Sequence, residues 1–182
     1  MKFYEKLENI GSKINSVLEK ACVFLLIIMT VIVLAQVFYR YVLRLGLPWA
    51  EEIAKYLMVW MALLGAAIVF YEQSHVSIDF LIDKISFKKW FKAGHTIVAM
   101  ILFVFFIIYG FDYAKFGLRS FSATTKISRF WPYLAIPIGG IFLFIQGFIV
   151  LVRFVAGKEE QKELEYDLQA EDEKVISEGG VE

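Results

Sequence analysis

An all-α integral membrane protein, with four transmembrane helices and further amphipathic helices lying along the membrane surface, is the fold class this sequence predicts. Three observations predict it. Four apolar runs occupy most of the 182 residues, at 21–39, 56–71 (reaching back toward Trp49), 96–111 and 130–155. At about 1.5 Å of rise per residue, roughly 20 helical residues cross the ~30 Å hydrocarbon layer, so the second and third runs need their flanks to span it. Hydrophobic residues make up 59% of the chain and charged ones only 21%, a balance outside that of ordinary soluble domains. Finally, the polar side chains gather where the runs end rather than inside them.

Residues 1–20 precede the first run. Phe3, Leu7, Ile10, Ile14, Val17 and Leu18 recur at helical spacing, while lysines, glutamates, asparagines and serines fill the other face. Such a helix is expected to lie in the membrane interface, its last turn either part of it or an overhang that continues the first span. The first span follows at about 21–41. Val33-Leu34-Ala35 has the spacing of a signal cleavage site, but Glu5, Glu8 and Glu19 accompany four lysines before the run, which continues to Tyr39. The segment is therefore read as a retained helix.

Tyr39-Arg40-Tyr41 closes this span as an aromatic and cationic anchor. Gly46 and Pro48 make a turn, and the second span runs from about 49 to 71. Glu51 and Glu52 suit the positive end of its helix dipole, and Glu51 and Lys55 stand at i,i+4. Beyond it Ile78, Leu81, Ile82 and Ile85 follow i, i+3, i+4, i+7, predicting an interfacial helix over about 77–91. Trp90, Lys88, Lys89 and Lys92 are its anchors. The third span covers about 93–115, and a connection rich in Ser and Thr leads to the fourth, about 130–155. There Pro132 suits the first turn, and Pro137 with Gly139-Gly140 predicts a kink or a close helix approach. The 157–182 tail holds ten acids and three lysines from Lys158 onward, and is expected to be a disordered cytoplasmic end.

The side of the membrane holding the N-terminus carries eleven Lys and Arg residues against seven on the other, which places both termini in the cytoplasm. The net charge of zero gives no field for nucleic acid. Cys22, the one cysteine, excludes an internal disulfide, a CxxC redox pair and a cysteine zinc site. Walker, dinucleotide-glycine, HExxH and GxSxG motifs are missing, so catalytic residues, a bound cofactor and a metal site are not expected.

Inside the spans there is little to bind a hydrophilic solute. Thr30 and Gln36 in the first, Gln146 in the fourth, and nothing ionisable in 56–71 or 96–111 fall short of the midplane chemistry of a self-sufficient transporter. Around the first hairpin, by contrast, Arg40, Trp49, Glu51, Glu52 and Lys55 form a cluster. A carboxylate pair entering the membrane is costly unless a cation or donor meets it, with Arg40 the partner within the chain and a basic group of another subunit the alternative, so the cluster reads either as an interface lock or as topology anchors. Gly65, Gly139 and Gly140 are candidate points of close helix approach. Two other readings stay open: a haem or quinone enzyme anchor using His75 and His95, and a self-contained small channel.

Phe38-Tyr39-Arg40-Tyr41-Val42, Pro48-Trp49-Ala50-Glu51-Glu52-Ile53, Trp60, Leu64-Gly65-Ala66-Ala67 and His75-Val76-Ser77-Ile78-Asp79 occur in this order over residues 20–153. In that order and spacing the chain resembles the DctQ-like small membrane subunits of tripartite ATP-independent periplasmic (TRAP) transporters. Tyr71-Glu72-Gln73-Ser74 departs from the family, where a glycine before the histidine is more usual. The resemblance implies a scaffold role beside a large membrane subunit that holds the substrate and sodium sites. It also implies a periplasmic binding protein that delivers an organic acid or a carboxylated sugar such as sialic acid. Sodium gradients then drive uptake without ATP.

Overall fold

The computed structural model describes residues 2–72 and 88–155. Within them the chain is helical: α1 (Lys2–Tyr41), α2 (Pro48–Glu72), α3 (Lys88–Gly117), the short α4 (Phe130–Tyr133) and α5 (Ala135–Val155). Four segments are long and apolar enough to cross a membrane: Glu5–Tyr41, Pro48–Glu72, Gly94–Gly117 and Phe130–Phe154. Among the described residues there is no strand, only an isolated antiparallel bridge between Phe121 and Ser128.

α5 is the central helix. It contacts α1, α2 and α3, and half of its most apolar window is buried inside the chain, against none of that of α1. One core cluster joins all four long helices through Leu18, Leu64, Ala67, Phe103 and Leu143, and Phe70 meets Phe103 edge-on at 5.2 Å between ring centroids. Lipid supplies no hydrophobic drive for helix association, so contact rests on close fit. A Cβ built on Gly139 would stand 2.7 Å from Leu63 Cβ on α2, and one on Gly110 of α3 would stand 2.9 Å from the Pro137 ring. Only glycine permits these two approaches.

Several expectations change. Residues 1–20 and 21–41 are not separate elements, because α1 is one helix of 40 residues, about 60 Å long and twice the hydrocarbon thickness. The face it turns inward takes in only part of the apolar stripe, Leu7, Ile14 and Leu18. Gly11, Asn15 and Leu18 are buried, whereas Ile10 and Val17 are exposed. Polar partners at the ends of α2 and α5 set this rotation, as described below. The fourth span is two pieces, α4 and α5, interrupted at Leu134. Pro137 lacks an N–H to give the Tyr133 carbonyl, so the hydrogen-bond ladder breaks there; Leu134 nevertheless keeps helical angles (φ −60°, ψ −21°) and its N–H reaches the Phe130 carbonyl at 2.9 Å. The predicted kink is thus a break in bonding with little change of backbone conformation. Thr30, a polar residue inside the first span, is satisfied by its own helix through the Leu26 carbonyl at 2.8 Å.

α3 begins at Lys88, earlier than expected, so 88–91 of the anticipated interfacial helix are its first turn. The rest of that helix, His75, and the acidic 157–182 tail lie outside the described residues, as do the side chains of Lys88, Lys89, Trp90 and Lys92.

Candidate subunit interface

Two polar clusters stand at opposite ends of the bundle. At one end α2 opens with Pro48, whose missing N–H costs nothing in a first turn. Glu52 is thereby set one turn in, facing the loop between α3 and α4. Its Oε2 accepts from the Thr125 backbone N–H at 3.2 Å and from the Thr125 hydroxyl at 3.4 Å, and its Oε1 accepts from the Tyr56 hydroxyl at 3.0 Å. Ser122, 1% exposed, shares a 2.6 Å hydrogen bond with the Thr125 hydroxyl. The loop is closed by Ser122 N–H to the Ile127 carbonyl and Arg129 N–H to the Ser120 carbonyl, both 2.9 Å. Lys126 takes a positive φ of 58° at its tip. Ser128 Oγ donates to the Gly117 carbonyl at 3.1 Å, satisfying the C-terminus of α3.

Glu52 therefore has donors within this chain. They are Tyr56, one turn along α2, and Thr125 of the loop, a connection too far along the chain for spacing to reveal. Glu51 pairs with Lys55 at 2.7 Å, both largely exposed, which is the local i,i+4 pair and worth little stability. Among the described residues no ion pair joins Arg40 to Glu51 or Glu52; Arg40, exposed in the last turn of α1, attracts Glu51 only at longer range and less than Lys55 does. Trp49 is 42% exposed. Gly65 has open space around its Cα and lies on the same outward stripe of α2 as Glu51, Lys55, Met58, Ala62 and Val69. Gly139 and Gly140 are buried against α2 and α3, where Cβ atoms would stand 2.7 Å from Leu63 and 3.1 Å from Phe106. That makes them internal packing positions and corrects their place in the candidate interface. His95 is exposed on α3.

Sequence reasoning missed the second cluster. Arg153, 2% exposed near the end of α5, donates from Nη2 to Glu8 Oε1 at 2.6 Å and from Nε to Glu8 Oε2 at 3.4 Å. Its guanidinium also lies 4.9 Å from the centroid of the Tyr71 ring, and Nη1 reaches the Tyr71 carbonyl at 3.5 Å. The Tyr71 hydroxyl donates to Glu8 Oε1 at 3.1 Å. Two turns further along α1, Asn15 Nδ2 donates to Glu72 and to Glu19, each at 2.7 Å. Gly11 lies between: a Cβ there would meet the Tyr71 ring at 2.9 Å and Ile149 at 3.0 Å. The available signal was Arg153 itself, a cation inside an apolar run, which calls for an anion at the same depth.

Glu52 and Tyr71 are 19 residues apart on one helix, about 28 Å along its axis. That nearly equals the hydrocarbon thickness, the spacing expected of one cluster at each membrane surface. Among the described residues the bundle is thus tied by polar contacts at both ends, with a mostly apolar body between.

Comparison with known proteins agrees with this. The family model for the DctQ component of tripartite ATP-independent periplasmic transporters matches residues 29–157, well over half of the chain. The chain belongs to this family. It is 31% identical over 140 residues to a provisionally named TRAP transporter small permease protein of Haemophilus influenzae, covering 75% of this chain and 86% of that one. With the sialic acid TRAP transporter small permease SiaQ of Vibrio cholerae it shares 28% over 140 residues, 76% of this chain and 81% of the relative. It is also 34% identical over 137 residues to the sialic acid TRAP transporter permease SiaT of H. influenzae, matching 70% of this chain but only 21% of that longer protein. This chain is thus a multi-pass TRAP small permease subunit of the inner membrane.

Proposed function

We propose that this subunit is the stationary, non-catalytic scaffold of a sodium-coupled importer, paired with a large membrane subunit that holds the substrate and sodium sites. A periplasmic binding protein delivers the cargo, an organic acid or a carboxylated sugar such as sialic acid or a dicarboxylate. Both termini face the cytoplasm, so the 118–129 loop faces the periplasm. The observation that carries the reading is the placement of ionic chemistry: among the described residues it lies at the two ends of the bundle, and the body between packs apolar side chains. The match of 137 residues to a stretch of a far longer permease, SiaT, supports the pairing, since it is consistent with small and large portions working as one unit. The outward stripe of α2 around Gly65 is the surface we assign to the large subunit.

Reconstitution tests this. Proteoliposomes holding the chain and its large subunit, supplied with the binding protein, are expected to accumulate labelled substrate under a sodium gradient, and the chain alone to pass none. Solute flux through the chain by itself would establish a channel instead. A Soret band in the purified chain would establish a haem anchor using His75 or His95.

A further inference from the structure

The N-terminal part of α1 presents a second surface. At 100° per residue, Lys6, Lys13 and Lys20 fall on one line of the helix, seven residues and about 10 Å apart, with Ile10 and Val17 between them. All five are exposed. The acids of this segment turn elsewhere: Glu8 toward Arg153, Glu19 toward Asn15. Among the described residues no ion pair holds any of the three lysines. The strip lies roughly opposite the Glu8, Gly11, Asn15 face that contacts α2 and α5, so it looks away from the bundle.

Its level along the bundle is the telling feature. Glu8 lies level with Tyr71 and Arg153, and Asn15 with Glu72 at the end of α2, so α1 stays at this end of the bundle over both contacts and Lys6 and Lys13 stand there too. On the outward face the continuous apolar strip starts only at Phe24, followed by Ile27, Val31 and Leu34, all more than half exposed. From Glu8 to Tyr41 α1 runs about 50 Å, against about 28 Å between the polar clusters, so it does not run level and parallel with α2 from end to end. Lysine side chains of this reach carry their ammonium groups to phosphate while their stems and neighbouring Ile and Val lie on acyl chains.

The geometry points to an anionic phospholipid site along α1, in which Lys6, Lys13 and Lys20 hold lipid phosphates and Ile10 and Val17 rest on the acyl chains beneath. Charge complementarity favours lipid over a partner chain: three cations in line, none ion-paired among the described residues and with no acid of α1 within about 60° of the line, match a dense anionic surface.

The test uses the full chain in bilayers of phosphatidylcholine and phosphatidylglycerol. Electron paramagnetic resonance of spin-labelled lipids gives the relative association constant of phosphatidylglycerol over phosphatidylcholine. Each lysine near an anionic surface contributes about five-fold at its own site. Averaged over the lipid shell, a change of about two-fold or more is expected between the wild type and the Lys6→Gln/Lys13→Gln/Lys20→Gln variant. The corresponding triple Arg variant should retain the selectivity. Salt at ~0.5 M should abolish it in the wild type, a measurement that needs no variant. Equal constants for the wild type and the Gln variant, or selectivity untouched by salt, would overturn the proposal. So would loss of selectivity when the large subunit is added, together with cross-linking of a photoreactive residue at position 13 to it, since a protein would then own this face.

Discussion

Replacing Glu8 by glutamine removes the anion from a guanidinium that is 2% exposed and keeps the shape of the side chain. Arg153 then retains the Tyr71 ring at 4.9 Å and the long contact to the Tyr71 carbonyl, and loses the charge behind its 2.6 Å hydrogen bond. Breaking a buried pair by neutralising one partner costs about 3–5 kcal/mol, because the remaining charge is left uncompensated. The Glu8 side chain is 26% exposed, so water takes up part of the difference, and the lower end, about 3 kcal/mol, is the expected loss. Arg153→Met should cost a similar amount. The double variant Glu8→Gln/Arg153→Met removes both charges of the pair and should be more stable than either single one, giving a coupling energy of about 2 kcal/mol or more. Reversible unfolding of the four proteins in mixed micelles measures this cycle. Additive single losses, or a Glu8→Gln protein within about 1 kcal/mol of wild type, would refute the assignment of Arg153 and Glu8 as the lock that fixes α1.

Glu52→Gln should weaken the acceptor of the Thr125 N–H and hydroxyl and the Tyr56 hydroxyl, costing about 1–2 kcal/mol and raising amide exchange selectively across 120–128. Gly139→Ala should destabilise the isolated chain by about 1–3 kcal/mol through the 2.7 Å clash with Leu63, and Leu63→Ala should recover part of it. Gly65→Leu, made into open space, should leave unfolding of the isolated chain within about 0.5 kcal/mol of wild type yet reduce co-purification with the large subunit. Gln146 is fully buried on α5 and neither of its amide atoms is hydrogen-bonded among the described residues, so Gln146→Met should stabilise the chain by about 1–3 kcal/mol in the same unfolding assay.

The four spans are legible because apolar length is a one-dimensional signal, and Pro137 announces the interruption at Leu134 because its effect on the hydrogen-bond ladder is local. Two things resist reading. The hydrophobic periodicity of residues 3–18 predicts an apolar stripe resting on the membrane interface, but Leu7, Ile14 and Leu18 turn into the bundle while Ile10 and Val17 face out. Arg153 and Glu72 recruit Glu8 and Asn15, and helix rotation follows the partners that most need burial. The stripe itself gives no hint of this, since Glu8 and Arg153 are 145 residues apart. The chemistry of the Glu52 cluster is visible in sequence, but its neighbour Arg40 is the partner that sequence suggests. The true partner comes from the α3–α4 loop, 73 residues away, whose Ser and Thr groups look like ordinary surface until the hairpin folds back. Gly139 and Gly65 are indistinguishable as letters; only the facing residue, Leu63 in one case and open space in the other, separates internal packing from a free surface.

A stationary wall inside a membrane faces a particular difficulty. Apolar helices in lipid gain little by choosing one register over another, since acyl chains solvate each sliding position almost equally well. Directional contacts are what fix register, and they are cheapest where water and headgroups already reduce the cost of charge, at the two membrane surfaces. This chain places one such contact set at each surface: Glu52 to the 118–129 loop, and Arg153 to Glu8 and Tyr71. The first ties α2 to the turn between α3 and α4, the second ties α1 to α2 and α5, so each long helix is joined at one end or the other. Between them Gly139 and Gly110 let the backbones approach closely enough for dispersion to hold the middle. A helix fixed at its ends and close-fitted at its centre resists both sliding and tilting. Those are the two motions that a neighbouring substrate-carrying domain, in the proposed role, would impose on it.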